Sequence, residues 1–240
     1  WTKISKENND DINIKWQVSS DIKFENIITS GTQKSSFTNN FTVKVDAEIP
    51  KEFNGKKIFY RFNYRDKFSE IGTSSTLPSG NTNKFNIAFC SCSNYPAGFF
   101  NSYKEIARNE DIDLVLHLGD YIYEYGANVY PAKGSKEMGR IVDPQHEIIS
   151  LDDYRRRYAL YRSDEDLREL HASKAMIVVW DDHEFTNNTW KNGAENHSND
   201  EGEFENRIDN AIKAYYEWMP IREHNNKSRI WREFKVGNLF

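Results

Sequence analysis

Leu116-His117-Leu118-Gly119-Asp120-Tyr121-Ile122-Tyr123-Glu124 is the stretch on which the fold turns. An apolar run leads into Gly-Asp, and phenol rings follow the Asp at once. Such a run reads as a buried strand that hands a carboxylate to the rim of a sheet. Open α/β sheets bind ligands and metals at that rim. Farther along, the pattern recurs: Ile177-Val178-Val179-Trp180 runs into Asp181-Asp182-His183-Glu184. Two buried strands that each end in hard-metal or acid–base groups are hard to explain by packing alone.

The flanking segments alternate strand and helix. Phe85 to Phe89 reads as a strand, and 100–107 as a helix with Tyr103, Ile106 and Ala107 on one face. Residues 152–161 and 164–171 read as charged helices, and Met176 to Trp180 as a buried strand. Phe204, Ile208, Ala211, Ile212, Tyr215 and Met219 recur at helical spacing until Pro220 stops them. Trp231 to Phe240 is expected to form a fourth strand, and Asn192 to Glu203 an exposed loop. The alternation predicts an α/β domain with at least partly parallel strands.

The first third reads as β. Ile14, Trp16 and Val18 alternate with polar residues, as do Phe41, Val43 and Val45, and Ile58, Tyr60 and Phe62 after the Asn54-Gly55 turn. Short alternating strands predict a small antiparallel sandwich. The small, polar, breaker-rich run from Gly72 to Asn81 predicts an interdomain linker.

Bulk properties narrow the function. The 240 residues, 38% hydrophobic and 14% aromatic, suit one large or two ordinary domains. The net charge of −5 argues against nucleic acid or anionic membranes as standing partners. No run of about 18 apolar residues suggests a membrane span. The chain opens on Trp1-Thr2-Lys3 without a signal peptide or initiator Met, which reads as a processed or excised piece. Cys90 and Cys92 point the same way on a strand and sit too far apart for an easy disulfide. Oligomeric state leaves no trace in the sequence.

The strand ends carry the chemistry. The first closes on Cys90-Ser91-Cys92-Ser93-Asn94-Tyr95, the second on Gly119-Asp120-Tyr121-Ile122-Tyr123, the third on Asp181-Asp182-His183-Glu184-Phe185-Thr186-Asn187-Asn188. Thiolate and phenolate suit ferric iron better than magnesium, and carboxylate and amide oxygens suit a second hard cation. A bridging Asp between two metals about 3.5–4 Å apart stabilises entering and leaving oxygens of a phosphoryl group. A neighbouring His can protonate a leaving alkoxide. Each residue has an ordinary alternative: a buried thiol, a packing aromatic, a turn Asp, a helix cap. Their coincidence at three strand ends favours a catalytic site.

These residues resemble the PhoD-like alkaline phosphatase/phosphodiesterase family of the metallophosphoesterase superfamily. The matching text is Phe89-Cys90-Ser91-Cys92-Ser93-Asn94-Tyr95, His117 to Glu124, Trp180-Asp181-Asp182-His183-Glu184 with Asn187-Asn188, and Ala214 to Arg222. Trp16-Gln17-Val18-Ser19, Tyr60-Arg61-Phe62 and Thr76-Leu77-Pro78 match in the first third. The resemblance implies an immunoglobulin- or fibronectin-like β-sandwich over 1–78, a linker over 79–84, and part of an α/β metallophosphoesterase domain over 85–240. That domain would be a calcineurin-like two-sheet sandwich flanked by helices. The resemblance further implies a secreted, periplasmic or cell-surface hydrolase of phosphate mono- and diesters that uses Fe(3+) and Ca(2+). Cys92 and Tyr123 would hold iron, Asp120 would bridge iron to calcium, and Asp182 and Asn187 would serve calcium. Which of Asp181 and Asp182 faces the metals stays open. His183 takes the place of the phosphate-contacting His. Family members continue past Phe240 into strands that supply an Asp and His ligands, so this chain alone is expected to be inactive. His197 and His224 read as solvated loop residues rather than substitutes. A non-catalytic extracellular carbohydrate- or cell-wall-binding protein is the competing class, and a nuclease on the same scaffold the third.

Overall fold

The computed structural model describes residues 1–6, 8–130, 133–223 and 229–239. Seven strands fill the first third: β1 (Thr2–Lys3), β2 (Ile12–Ser19), β3 (Ile27–Ser35), β4 (Thr42–Val43), β5 (Lys57–Tyr64), β6 (Lys67–Phe68) and β7 (Gly72–Ser75). β2 pairs antiparallel with β3 and β5, β5 also pairs with β6 and β7, and β1 pairs with β4. The period-2 pattern explains the buried face: Ile12 and Ile14 pack with Phe41, Val43 and Phe62. β7 lies inside the run expected to be a linker. Its small residues let it lie against β5, since a Cβ on Gly72 would come 2.1 Å from Tyr60 Cζ.

The remainder alternates strand and helix: β8 (Ile87–Cys90), α1 (Asn101–Arg108), β9 (Leu114–His117), α2 (Leu151–Ser163), α3 (Glu165–Ser173), β10 (Ala175–Val178), β11 (Thr189–Trp190), β12 (Gly193–Ala194) and α4 (Phe204–Trp218). β9 is the middle of a parallel sheet ordered β10-β9-β8. His117 pairs with both Cys90 and Val178, so the three strands end level. Ser150 caps α2 in a capping box with Asp153, and Asp164 caps α3 by accepting the Leu167 N–H at 3.1 Å. Val115 and Val178 face the helices, packed with Tyr154, Tyr158, Tyr161, Leu167, Leu170, Tyr215 and Trp218. On the opposite face Phe89 is 72% and Leu118 49% exposed. The β part and the helices are joined by side chains: Tyr60 Oη donates to His171 O at 3.3 Å, and Lys44 Nζ to Tyr216 O at 2.7 Å.

Three expectations are corrected. Residues 231–239 form no strand; Phe240 lies outside the described residues. The segment bonds back to the chain near β7, with Gly237 N–H on Pro78 O at 2.8 Å and Asn238 Oδ1 accepting the Thr82 N–H at 2.7 Å. Strand-prone residues make a strand only where a ladder partner accepts them. The stretch 192–203 is not uniformly exposed: β12 forms a hairpin with β11, Ala194 is buried, and Asn196 reaches the interior. His197 is tucked in, with Nδ1 3.3 Å from Arg207 Nη1 and 3.4 Å from Glu201 Oε2. His224 lies outside the described residues.

Two buried imidazoles make stability pH-dependent. Burial pushes His117 from 6.5 down to about 4, and burial with Arg162 nearby holds His171 well below 6.5. Both are neutral in the fold, so the unfolded chain binds protons first and stability falls as pH drops from about 6.5 toward about 4. Urea titrations across that window should show a shallower slope for His117→Gln than for the natural protein; identical slopes would refute the burial argument. Leu170→Ala, at a fully buried position, should cost about 2–5 kcal/mol, whereas Ile22→Ala, at an exposed one, should leave the midpoint nearly unchanged.

Candidate metal centre

The level strand ends are fastened to one another by the backbone. Cys92 N–H donates to Gly119 O and Ser93 N–H to Asp120 O, both at 3.2 Å. Gly119 has φ +106°, and a Cβ there would stand 2.5 Å from Asp181 Cβ. Only glycine lets the turn after β9 pass so close to the turn after β10. Cys92, Asp120 and Asn188 adopt left-handed φ of 58°, 52° and 52°. Non-glycine residues in that region carry strain, which clusters at functional sites.

Two buried glutamates organise the turns. Glu184 Oε2 accepts the N–H groups of Asp120 at 3.0 Å and Asp181 at 2.7 Å, and Oε1 accepts that of Tyr121 at 2.5 Å. Burial pushes its carboxyl up to about 8 against the pull of these donors. Glu124, fully buried, meets His183 Nδ1 at 2.7 Å, the Asn187 N–H at 2.8 Å and Asn196 Nδ2 at 2.9 Å. Burial opposes ionisation of both partners of the Glu124–His183 pair. Their contact outweighs it, lowering Glu124 and raising His183. With Nδ1 occupied, Nε2 is the imidazole edge free for a ligand.

Ligating atoms of Asp120, Asp182 and His183 lie within 4.8 Å of one another. Asp120 is buried, and its Oδ1 has no hydrogen-bond partner. Burial raises its carboxyl, and Asp182 and Asp181 add to that. A buried carboxylate oxygen with no donor, beside other carboxylates, is costly unless a cation meets it. The donor set therefore fits a metal ion. Tyr123 Oη donates to Asp120 Oδ2 at 3.3 Å, and Cys92 lies beside the same carboxylate. Burial, Asp120 and Cys92 all push the Tyr123 hydroxyl up.

Of the residues singled out in the sequence, Asp120, Asp182 and His183 form one cluster, with Cys92 and Tyr123 against Asp120. Asp182 is the carboxylate that joins; Asp181 is exposed and accepts the Asp182 N–H at 3.0 Å. Asn187 donates its N–H to Glu124, and its Nδ2 lies 3.4 Å from Glu195 Oε2. Sequence reasoning left Glu124, Glu184, Asn196 and Arg207 without roles. The Asp181-x-x-Glu184 spacing is a capping-box signature that points to Glu184. Arg207 holds Asn196 in place by donating from Nη1 to its carbonyl at 2.9 Å, and no local pattern announces that contact.

Comparison with known proteins bears on the family and the fold. The family model for the PhoD-like phosphatase N-terminal domain matches residues 1–78, and that for PhoD-like phosphatase matches 87–240. Alkaline phosphatase D of Bacillus subtilis (strain 168) is 38% identical over 234 residues, covering 94% of this chain and 39% of that protein. A solved structure of PhoD superposes with a TM-score of 0.86 at 37% identity, covering 97% of this chain and 44% of that one. The chain thus spans roughly two fifths of the length of these relatives, and its described residues have the PhoD fold. With both family models matched and the strand-end acids gathered as the motifs require, the chain belongs to the PhoD-like phosphatase family.

Proposed function

We propose that this chain carries the Asp/His part of the centre of a metal-dependent enzyme that hydrolyses phosphate mono- and diesters. One observation carries the reading: the buried, unpartnered Asp120 Oδ1 within the Asp120–Asp182–His183 cluster. The name of the Bacillus subtilis relative, alkaline phosphatase D, supports phosphate-ester chemistry. Asp120 would bridge an Fe(3+) site formed with Cys92 and Tyr123 to a Ca(2+) site served by Asp182 and Asn187. The closeness of Cys92 and Tyr123 to Asp120 supports the iron half. For the calcium half, Asn187 donates from Nδ2 to Glu195, and Oδ1 is the amide atom that would meet a cation. When bound, such cations supply Lewis acidity toward phosphoryl oxygens and acidify water at neutral pH.

The chain's own residues do the rest. Asp120 and Asp182 set the position of positive charge and so of the phosphoryl group. His183, its Nδ1 held by Glu124 and its pKa raised by that contact, keeps a proton on Nε2 for the departing alkoxide. Glu124 fixes the orientation of the ring through Nδ1.

The finer architecture belongs to the same proposal. Residues 1–78 would be an immunoglobulin-like domain, 79–84 a linker and 85–240 part of a two-sheet metallophosphoesterase domain. The family matches on either side of residue 79 support the division. Parallel sheets are ordinarily covered on both faces, so exposed Phe89 and Leu118 support a second layer on the open side. A secreted or cell-surface location is proposed from the relative. Among the described residues no helix is long and apolar enough to cross a membrane.

The reading is tested by hydrolysis of a monoester and a diester, with metal analysis on the intact protein. Chelation should abolish turnover and metal return should restore it. Asp120→Asn should lower both bound metal and kcat/KM, the latter by at least about 100-fold; unchanged activity in both Asp120→Asn and Cys92→Ala would sink the assignment. His183→Ala should lower kcat by about 10²–10⁴-fold with metal retained. Glu124→Gln should give an intermediate loss of about 10–100-fold, as expected when a ring loses its orienting partner.

A further inference from the structure

Four rings meet beside the Asp120–Asp182–His183 cluster. The His183 ring centroid lies 4.2 Å from that of Tyr123 and 5.6 Å from that of Tyr125. Tyr130 lies 5.3 Å from Tyr125 and stacks with Tyr123 at 6.4 Å. Tyr123 and His183 are buried and Tyr125 half-buried, whereas Tyr130 is 53% exposed. The cluster therefore runs from the candidate proton donor to open solvent as a continuous aromatic surface. Packing explains the inner rings but not the open one.

The surface is held in place from both sides. Ala127 N–H donates to Gln145 O at 2.8 Å and Ile148 N–H to Glu124 O at 3.0 Å, so the backbone flanking Tyr125 is paired with 145–148. Gly126 permits the approach, since a Cβ there would stand 2.9 Å from Gln145 O. Tyr130 is fastened through its carbonyl, which accepts Asn94 Nδ2 at 3.2 Å, while Tyr161 Oη donates to Asn94 Oδ1 at 2.9 Å. Arg140, on the return of the same loop, is buried and bonds Asp164 Oδ2 at 2.7 Å and Tyr95 O at 2.6 Å. Beside Tyr130 a cavity of about 230 Å³, lined by Gly126, Ile141, Val142 and Gln145 among others, gives the surface depth.

We propose that Tyr125 and Tyr130 form a leaving-group wall that selects phosphate esters whose departing group offers a flat aromatic face. The proposal rests on the phosphoesterase reading above. If His183 Nε2 protonates the departing oxygen, the group attached to that oxygen lies against the rings that touch His183. A planar aromatic group stacks on such rings, whereas a short polyol covers them poorly and prefers water. The wall thus acts on specificity, one bond beyond the chemistry.

The test separates binding from turnover. Calorimetry on the intact protein with phenylphosphonate and methylphosphonate should show the phenyl compound binding about fivefold tighter. That preference should vanish in Tyr130→Ala, an exposed position that leaves the fold intact, and in Tyr125→Leu. Equal binding of the two phosphonates, or a preference unchanged in both variants, would overturn the wall. Hydrolysis of phenyl phosphate and glycerol phosphate is measured alongside. A tyrosine-dependent phenyl preference with neither ester hydrolysed would uphold the wall and refute the phosphoesterase reading. Hydrolysis of both esters in an unchanged ratio in both variants would do the reverse.

Discussion

Three backbone N–H groups from two distant turns converge on one carboxylate, that of Glu184. Asp120 and Tyr121 follow β9, Asp181 follows β10, and Glu184 takes a hydrogen bond from each. Everything at the site depends on that convergence. It sets the distance between the two turns, and so the distance between Asp120 and Asp182. Its energetics favour geometry over stability. Burying a carboxylate costs several kcal/mol even after relaxation, while each hydrogen bond to a charged group contributes about 1.5–3 kcal/mol. Burial still outweighs the three bonds, as the carboxyl pushed up to about 8 shows, so what Glu184 adds is a fixed arrangement. Removing it would leave the buried N–H groups of Asp120 and Tyr121 without acceptors, which is costlier than never having built the contact.

Glu124 performs the same task one layer out, with a side chain among its donors. It binds His183 Nδ1, the Asn187 N–H and Asn196 Nδ2, and so joins the turn after β9 to the loop that carries β11 and β12. Arg207 of α4 holds the Asn196 carbonyl and also bonds Glu147 and the Ile148 carbonyl. The orientation of one imidazole is therefore referred, through Glu124 and Asn196, to a helix in the main core. A ring held that way has little freedom to rotate.

The legible parts of the sequence were those with a local signature. Apolar runs marked Leu114–His117 and Ala175–Val178, because strands buried in a parallel sheet need apolar residues in succession. Residues at the ends of those runs, Asp120, Asp182 and His183, were legible for the same reason. The run at Gly72–Ser75 misled because small polar residues suit a linker and also suit a strand pressed against Tyr60. Residues 231–239 misled in the opposite sense: aromatic and aliphatic residues suggested a strand, and no ladder took them up. Glu124 and Glu184 sat in plain view inside the motifs. Their work is to accept backbone N–H groups, and that leaves no residue-type pattern beyond the capping-box spacing of Glu184. The Asn196–Arg207 contact lies farther still from anything a single sequence displays.

The charge arrangement gives the site its direction. Asp182 and Asp181 add to the burial cost of ionising Asp120, while nearby backbone donors go to other carboxylates: three to Glu184, one to Glu124, and the Asn188 N–H to Asp182. The one imidazole in the cluster is tied through Nδ1 to Glu124, whose charge offsets its own. Donors that might have neutralised Asp120 Oδ1 from within the protein are thus spent on holding the turns in place. The same hydrogen bonds that give the turns their positions leave Asp120 Oδ1 without a donor. Asp120 Oδ1 is left as a buried acceptor whose chemistry suits a cation, beside a His183 whose charge eases only part of the burial cost.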